Sequence, residues 1–420
     1  MLAMLAFTAC SSNTDEAVNT PQFWHVTLTA SMGDADTRAL TENGNNINAS
    51  FTQGDVVKVL KSDGTLVGTL TAKTAGASTT LDGAISGNIA VNDVLTFRYR
   101  SATANYDGQV GTLAGIATGQ DYAEGTLTIT ATSPSLTLSS NSVTLSAKQS
   151  ITKFSFTCGG SPVSVKTFGI AATGLVQSIA ADATSTETVG AVTGTLGTAS
   201  SDVYIALRNK TGEKQTYSFT IQDNASNWYT GTKNAKLTNG KNYTASVTLT
   251  KLPALASNSP VGTIGVIGGL PAIVISGNKA VALMNAGALC PEAYGTYYTF
   301  ENRASGLSNG WEVPSQAELV SLKDTYTNAW TTQNGVNGCT FTIGSNTLFL
   351  PAAGLDDGDN NPHDFLFVST EGYYWSSTNY NDDLAYTLHL DNDPSFIIQP
   401  LSWYKVDGLT VRPFHTLPNE

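Results

Sequence analysis

The sequence predicts a mainly β protein, with two tandem β-sandwich units followed by a mixed α+β domain. Three observations carry this. Short runs of apolar residues alternate with polar ones from Gln22 to Leu249, the period-two mark of half-buried strands. Turn residues separate those runs. Beyond Val261 glycines and aromatics become denser, and one strong helix start appears. At 420 residues the chain exceeds an ordinary single domain, and 41% hydrophobic content supplies several cores. Charged residues make up only 13%, the net charge is −12 and no basic stripe occurs, which argues against a nucleic-acid partner. No apolar stretch approaches the roughly 20 residues that a membrane-spanning helix needs.

The boundaries follow in order: 1–22 a leader and tether, 23–146 and 147–253 the two sandwich units, 254–260 a linker, 261–420 the final domain. Met1 to Ala9 is a short apolar run ending in Ala9-Cys10-Ser11-Ser12, and residues 11–22 are polar. In the first unit Trp24, Val26, Leu28 and Ala30 alternate with His25, Thr27 and Thr29. Asp63-Gly64 lies between two β runs in residues 54–72 and suits a type I′ hairpin. Similar runs recur at residues 95–99, 125–129 and 142–146.

The second unit shows alternation over residues 151–156, another strand at 202–207, and a closing strand on Tyr243, Ala245, Val247 and Leu249 after the Asn239-Gly240 turn. Residues 251–260 hold two prolines and little patterning, as a linker does. In the last domain Ser315-Gln316-Ala317-Glu318 is a capping box, followed by Leu319, Leu322 and Tyr326 at helical spacing. Residues 372–377 and 408–413 read as short strands among turns.

Four cysteines are present, Cys10, Cys158, Cys290 and Cys339, with no CxxC pair and too few histidines for a zinc box. Cys290 and Cys339 could pair, or stand as two separate buried thiols.

Several of these features form resemblances. The run ending at Cys10 resembles a lipoprotein signal peptide, which would make Cys10 an acylated, palmitate-bearing residue. No Lys or Arg precedes the run, and Phe7 stands three places before the cysteine. The run is short for a signal core, leaving open a start further upstream.

Residues 22–253 resemble the fimbrillins of type V pili, through Cys10, the first strand, Asp36-Thr37-Arg38-Ala39, Gly54-Asp55-Val56-Val57-Lys58-Val59, and Leu237-Thr238-Asn239-Gly240-Lys241-Asn242-Tyr243. The resemblance implies transthyretin-like sandwiches. It also implies a trypsin-like maturation protease that cuts between Arg38 and Ala39, and other fimbrial subunits as partners through donor-strand exchange.

The last domain resembles the Fibrobacter major paralogous domain, a C-type-lectin-like module, through residues 309–319, Tyr374-Trp375-Ser376-Ser377-Thr378 and Val411-Arg412-Pro413. Glu312-Val313-Pro314 departs from that family's Arg-Leu-Pro. The calcium-lectin signatures Glu-Pro-Asn and Trp-Asn-Asp are absent.

Trp311 and Trp375 sit inside the scaffold motifs and are expected in the core rather than on a sugar. Trp403-Tyr404 is expected in a loop, where it could contact a ligand or pack on a neighbouring strand. Asp356, Asp357, Asp359 and Asp364 form the densest acidic stretch and could hold calcium, the only cofactor the sequence suggests, or be a solvated turn-rich loop. No H-E-x-x-H, G-x-S-x-G or P-loop motif occurs, so an enzyme is not expected.

The expectation is therefore an outer-membrane lipoprotein precursor whose mature form is a fimbrial tip subunit and adhesin, binding a glycan or protein ligand. The alternative is a permanently lipid-anchored surface lipoprotein that binds glycans or proteins without polymerising.

Overall fold

The computed structural model describes residues 22–33, 41–43, 46–48, 50–99, 104–179, 186–358, 364–392 and 398–418. The alternation in Phe23–Met32 decides the first unit. Trp24, Val26, Leu28 and Ala30 are 7, 6, 3 and 0% exposed, while the intervening side chains point to solvent. This strand runs antiparallel to Ser78–Ser86 along nearly its whole length and parallel to Ser142–Ala147 from Thr29 to Met32. The hydrogen-bonded order continues through Leu66–Ala72, Val56–Leu60 and Val94–Tyr99. That last strand pairs with Ala123–Ala131, which pairs in turn with Ser142–Ala147. The sheet thus closes on itself, and its inward faces enclose a core that includes Phe51, Leu70, Phe97 and Leu145. Closure gives each of these seven strands a neighbour on both sides over at least part of its length.

The hairpin around Asp63-Gly64 forms, but not with the expected turn. Only Gly64 has a positive φ, and a three-residue loop is closed by bonds from Gly64 N to Lys61 O and from Lys61 N to Thr65 O. Asp63 Oδ1 accepts from Thr65 N at 2.9 Å. That bond favours a turn with one left-handed residue and a bulge over type I′, which needs two.

Two sheets face each other in the second unit. One carries Asn242–Thr248, Ser150–Cys158, Asp202–Asn209 and Leu175–Ile179; the other carries Val192–Ser200, Val165–Ala171, Gln215–Asp223 and Trp228–Ala235. Phe154, Phe156 and Phe219 meet between them with centroids 5.3–5.9 Å apart. Residues 104–122 leave the first unit and enter this core: Ala104–Asn105 pairs with Leu175–Ile179, and Tyr106, Ile116 and Tyr122 are buried there. Helix Leu113–Gly119 lies on the same excursion, capped by Thr112. Buried Gln109 donates to the carbonyls of Tyr106 and Ala206 and accepts from Ala206 N at 2.9 Å. The two units therefore interlock in sequence as well as in space.

The final domain mixes one helix with small sheets. Helix Gln316–Thr325 begins at the expected capping box, with Ser315 N donating to Glu318 Oε2 at 2.8 Å and Glu318 N to Ser315 Oγ at 3.3 Å. Leu319 and Leu322 enter the core. Residues 408–413 do not form the expected strand. They thread the core by single bridges to Asp356, Tyr298 and Tyr374, and Pro413, which has no N–H to donate, precedes the actual last strand, Phe414–Thr416. Arg412 is fully buried, donating to the carbonyls of Ala282 and Phe349 at 3.1 and 3.0 Å. Burial pulls its pKa down to about 10.

The residues between second unit and final domain belong to both. Leu252 N bonds Trp228 O, Val266 N bonds Pro253 O, and Leu255 packs into the final domain's core. Trp228 Nε1 donates to Gly269 O at 2.8 Å across the junction. Ala171 and Ala191 of the second unit also meet Cys290 and Ala293 of the final domain in a small-residue contact. A Cβ on Gly169 would stand 2.5 Å from Cys290 Cβ, so only glycine permits this approach. Cys290 and Cys339 are both buried free thiols, which settles the pairing question in favour of two separate cysteines.

One ion-pair cluster secures the closing edge of the first unit. Arg98 Nε donates to Glu124 Oε1 at 2.7 Å from the directly opposite strand position, Lys148 Nζ lies 3.1 Å from Glu124 Oε2, and the Tyr122 hydroxyl also donates to Glu124. Burial would raise the Glu124 pKa, but Tyr122, Lys148 and Arg98 together hold it below the ordinary glutamate value. Glu124→Gln leaves a buried guanidinium without its carboxylate and is expected to cost roughly 3 kcal/mol in urea unfolding. Because the folded pKa is depressed, this stabilisation is present above pH 4.5, the ordinary value, and is lost as pH falls through the folded one. An acid titration of stability should show that loss in the native chain and a smaller one in the variant. Equal stability of the two chains at pH 7 would contradict the assignment.

Candidate functional site

Two surfaces gather the residues of interest. The first is the seat of Phe23–Met32. The strand is held unevenly: Thr29 N donates to Asn141 O at 2.9 Å, and pairing with Ser142–Ala147 begins at that residue. Alternation aims the backbone groups of His25 and Thr27 to the same side, where among the described residues no strand pairs with them. A cavity of about 230 Å³ lies there, lined by Val26, Leu28, Leu136 and Leu138. The half from Phe23 to Leu28 therefore keeps ladder bonds to one neighbour, and the half from Thr29 to Met32 to two. Arg38 and Ala39, and Cys10, lie outside the described residues.

The second surface is on the final domain, around Tyr373. Strand Glu371–Asn379 buries this ring, and Leu384–Asp391 and Ile398–Tyr404 continue the sheet. His389 stacks on Tyr373 at 4.6 Å and 27°, Trp403 packs at 4.6 Å, and Phe367 lies 6.2 Å away. The Tyr373 hydroxyl donates to Glu371 Oε2, which lies 2.8 Å from His389 Nε2. Burial, reinforced by this carboxylate, pushes the Tyr373 pKa far up, so the phenol stays neutral. Trp403 Nε1 donates to Asp407 Oδ2 at 2.7 Å.

Trp403 and Tyr404 end a strand, opposite Ala385 and Leu384, rather than lying in a loop. The strand's alternation separates them: Trp403 turns inward and Tyr404 is 60% exposed. The period was hidden because Pro400-Leu401-Ser402 breaks the apolar pattern. Val406, two residues beyond Tyr404, is 55% exposed; Phe365 and Phe367 are 52 and 43% exposed, with Phe365 against Tyr297 and Phe367 against Tyr373. The two aromatic phenylalanines were not marked by spacing; a Phe-Leu-Phe run beside an acidic stretch was the available signal.

Trp311 and Trp375 are core residues, as expected. Trp311 donates to Gly268 O at 3.1 Å; Trp375 is fully buried, donates to Tyr298 O at 2.7 Å and meets Phe300 edge-on.

The acidic stretch forms a short hairpin, Leu355–Asp357 with Asp364–Leu366, which sets Asp357 directly opposite Asp364 and Asp356 opposite Phe365. Asp359 lies outside the described residues. Among the described residues, no group of three or more His, Cys, Asp or Glu side chains is placed to hold a metal ion.

The fold defines a mainly β protein of two sheet units with an α+β domain docked on the second. Residues 312–414 match a family described as "Domain of unknown function (DUF8237)". That span coincides closely with the three motifs between residues 309 and 413. A comparison with curated proteins finds no match. Among solved structures, the chain is similar to a candidate cell adhesion protein from Bacteroides uniformis ATCC 8492, at 13% identity and a TM-score of 0.31 over 54% of this chain and 96% of that one. It is also similar to the tip fimbrial protein Mfa3 from Porphyromonas gingivalis with C-terminal truncation, at 8% identity and a TM-score of 0.29 over 55% and 99%. A candidate adhesin from Bacteroides ovatus ATCC 8483 gives 10% identity and a TM-score of 0.33 over 60% and 100%.

The Tyr373 cluster and the exposed rim should separate by mutation. Tyr373→Ala empties a buried aromatic site and is expected to lower stability by about 3–5 kcal/mol. Tyr404→Ala is expected to change it by less than about 0.5 kcal/mol. Urea unfolding of both variants checks this, and a large loss in Tyr404→Ala would mean that its ring is structural.

Proposed function

We propose that this chain is a cell-surface fimbrial subunit that ends a fibre and carries an adhesive final domain. The carrying observation is the first strand. It is internal to a closed sheet, yet it is followed a few residues later by Arg38. Cleavage after Arg38 would leave Phe23–Met32 held only by noncovalent contacts. Its departure would open an apolar groove between Ser78–Ser86 and Ser142–Ala147, with two rows of unpaired backbone groups. An extended segment of another subunit with matching alternation restores both burial and hydrogen bonds. Restoring the burial of Val26 and Leu28 alone is worth roughly 1.5–3 kcal/mol per side chain.

The uneven seat supports this order of events. The half from Phe23 to Leu28 has one ladder neighbour and peels first. The Thr29–Met32 half has two and leaves last, although its parallel pairing is the weaker kind per residue. Phe414–Thr416 pairs with both Lys279–Ala282 and Trp311–Glu312, so this strand is engaged in its own domain and is not itself free for donation. The exposed face around Tyr404 is the proposed contact for a glycan or protein ligand, since a solvent-facing aromatic on a rigid sheet supplies area at low entropic cost. Lipidation at Cys10 would deliver the precursor to the outer membrane.

The test is Arg38→Ala, expressed with the native fimbrial partners. The expected outcome is an uncleaved amino-terminal segment and loss of the chain from purified fibres. Incorporation at the normal level with an unchanged mature amino terminus would contradict the proposal.

A further inference from the structure

The junction between the second unit and the final domain encloses a cleft that the face around Tyr404 does not include. Its volume is about 450 Å³, within the roughly 300–1,000 Å³ of small-molecule sites, which favour domain interfaces. Gln222 and Ser226 line it from the second unit; Ser308 and Asn309 line it from the final domain. The bond from Trp228 Nε1 to Gly269 O ties the two walls together, and Trp228 is 2% exposed, so their spacing is set by a buried contact. Asn309 sits in the left-handed region at φ 54, and its carbonyl lies 3.0 Å from His415 Nε2, which fixes the loop that presents its amide.

The chemistry of the lining narrows the ligand. No lining residue carries an ionisable side chain, so a phosphate, carboxylate or ammonium group would enter without a counter-charge. The side chains of Gln222, Ser226, Ser308 and Asn309 hydrogen-bond to no other described protein group, and each keeps both donor and acceptor capacity. Leu289 and Leu307 add apolar surface between them. Two amides and two hydroxyls beside aliphatic walls suit a ligand with many neutral hydroxyls and C–H faces. We infer that this interdomain cleft binds a neutral saccharide. The inference deepens the adhesive reading and rests on it, by naming a ligand class and a second place of contact.

The probes are maltose, lactose and cellobiose, with sialyllactose as a charged comparison, titrated calorimetrically into the full chain at up to ten millimolar. At least one neutral sugar should bind, and Gln222→Ala/Asn309→Ala should weaken it at least tenfold with an unchanged melting temperature. Tyr404→Ala should leave that affinity unchanged. Binding that survives the double variant overturns the inference, as does binding that Tyr404→Ala abolishes. No binding by any neutral probe also overturns it. The adhesive, fibre-ending reading is judged separately by the Arg38→Ala fibre assay, so the two can fail independently.

Discussion

Closure of the first sheet depends on one strand being seated between two partners that are far apart in sequence. Phe23–Met32 bonds to Ser78–Ser86 on one side and to Ser142–Ala147 on the other, and it fills the core with Trp24, Val26, Leu28 and Ala30. Everything downstream in that unit assumes this strand or a substitute for it. Removing a member from within this closed sheet exposes an edge on each of its neighbours and a cavity at once. In the proposed exchange, a chain that repeats the alternation would restore both pairing and burial, because ladder bonds are backbone bonds and read no side-chain identity.

The rest of the molecule adds rigidity around that seat. The excursion of residues 104–122 stitches the first unit into the core of the second, and the Arg98–Glu124–Lys148 cluster lies where the two meet. On the far side, Trp228 and the glycine-to-cysteine approach at Gly169 fasten the final domain to the second unit. A chain in which each part is fastened to the next can transmit load along its length.

Local signals in the sequence were the most legible. Alternation identified the first strand and its inward face, and the S-x-x-E spacing identified the helix start at Ser315, because both are set by residues within a few positions of each other. The tryptophans at 311 and 375 were readable as core because both sit inside the scaffold motifs. Long-range pairing was not legible. Nothing in residues 104–122 announces that Gln109 will bond Ala206, since the partner lies 97 residues away and polar Gln and Asp at such spots look like loop residues. Type I′ geometry at Asp63-Gly64 failed because the Asp side chain found a local bond that favoured another turn. Trp403-Tyr404 looked like a loop because a proline and a serine interrupt its strand pattern. The interdomain cleft was invisible in sequence, as its four polar side chains come from segments more than 80 residues apart.

Assembly in the proposed manner requires the first strand to be replaceable. The direct measurement is urea unfolding of the chain cut after Arg38 and freed of its amino-terminal segment, with and without a synthetic peptide of residues 22–33. The cut chain is expected to lose several kcal/mol of stability, and the peptide to restore most of it, while a peptide with its apolar positions shifted by one residue restores none. If the cut chain keeps its full stability, or binds both peptides equally, the first strand is not the seat of assembly.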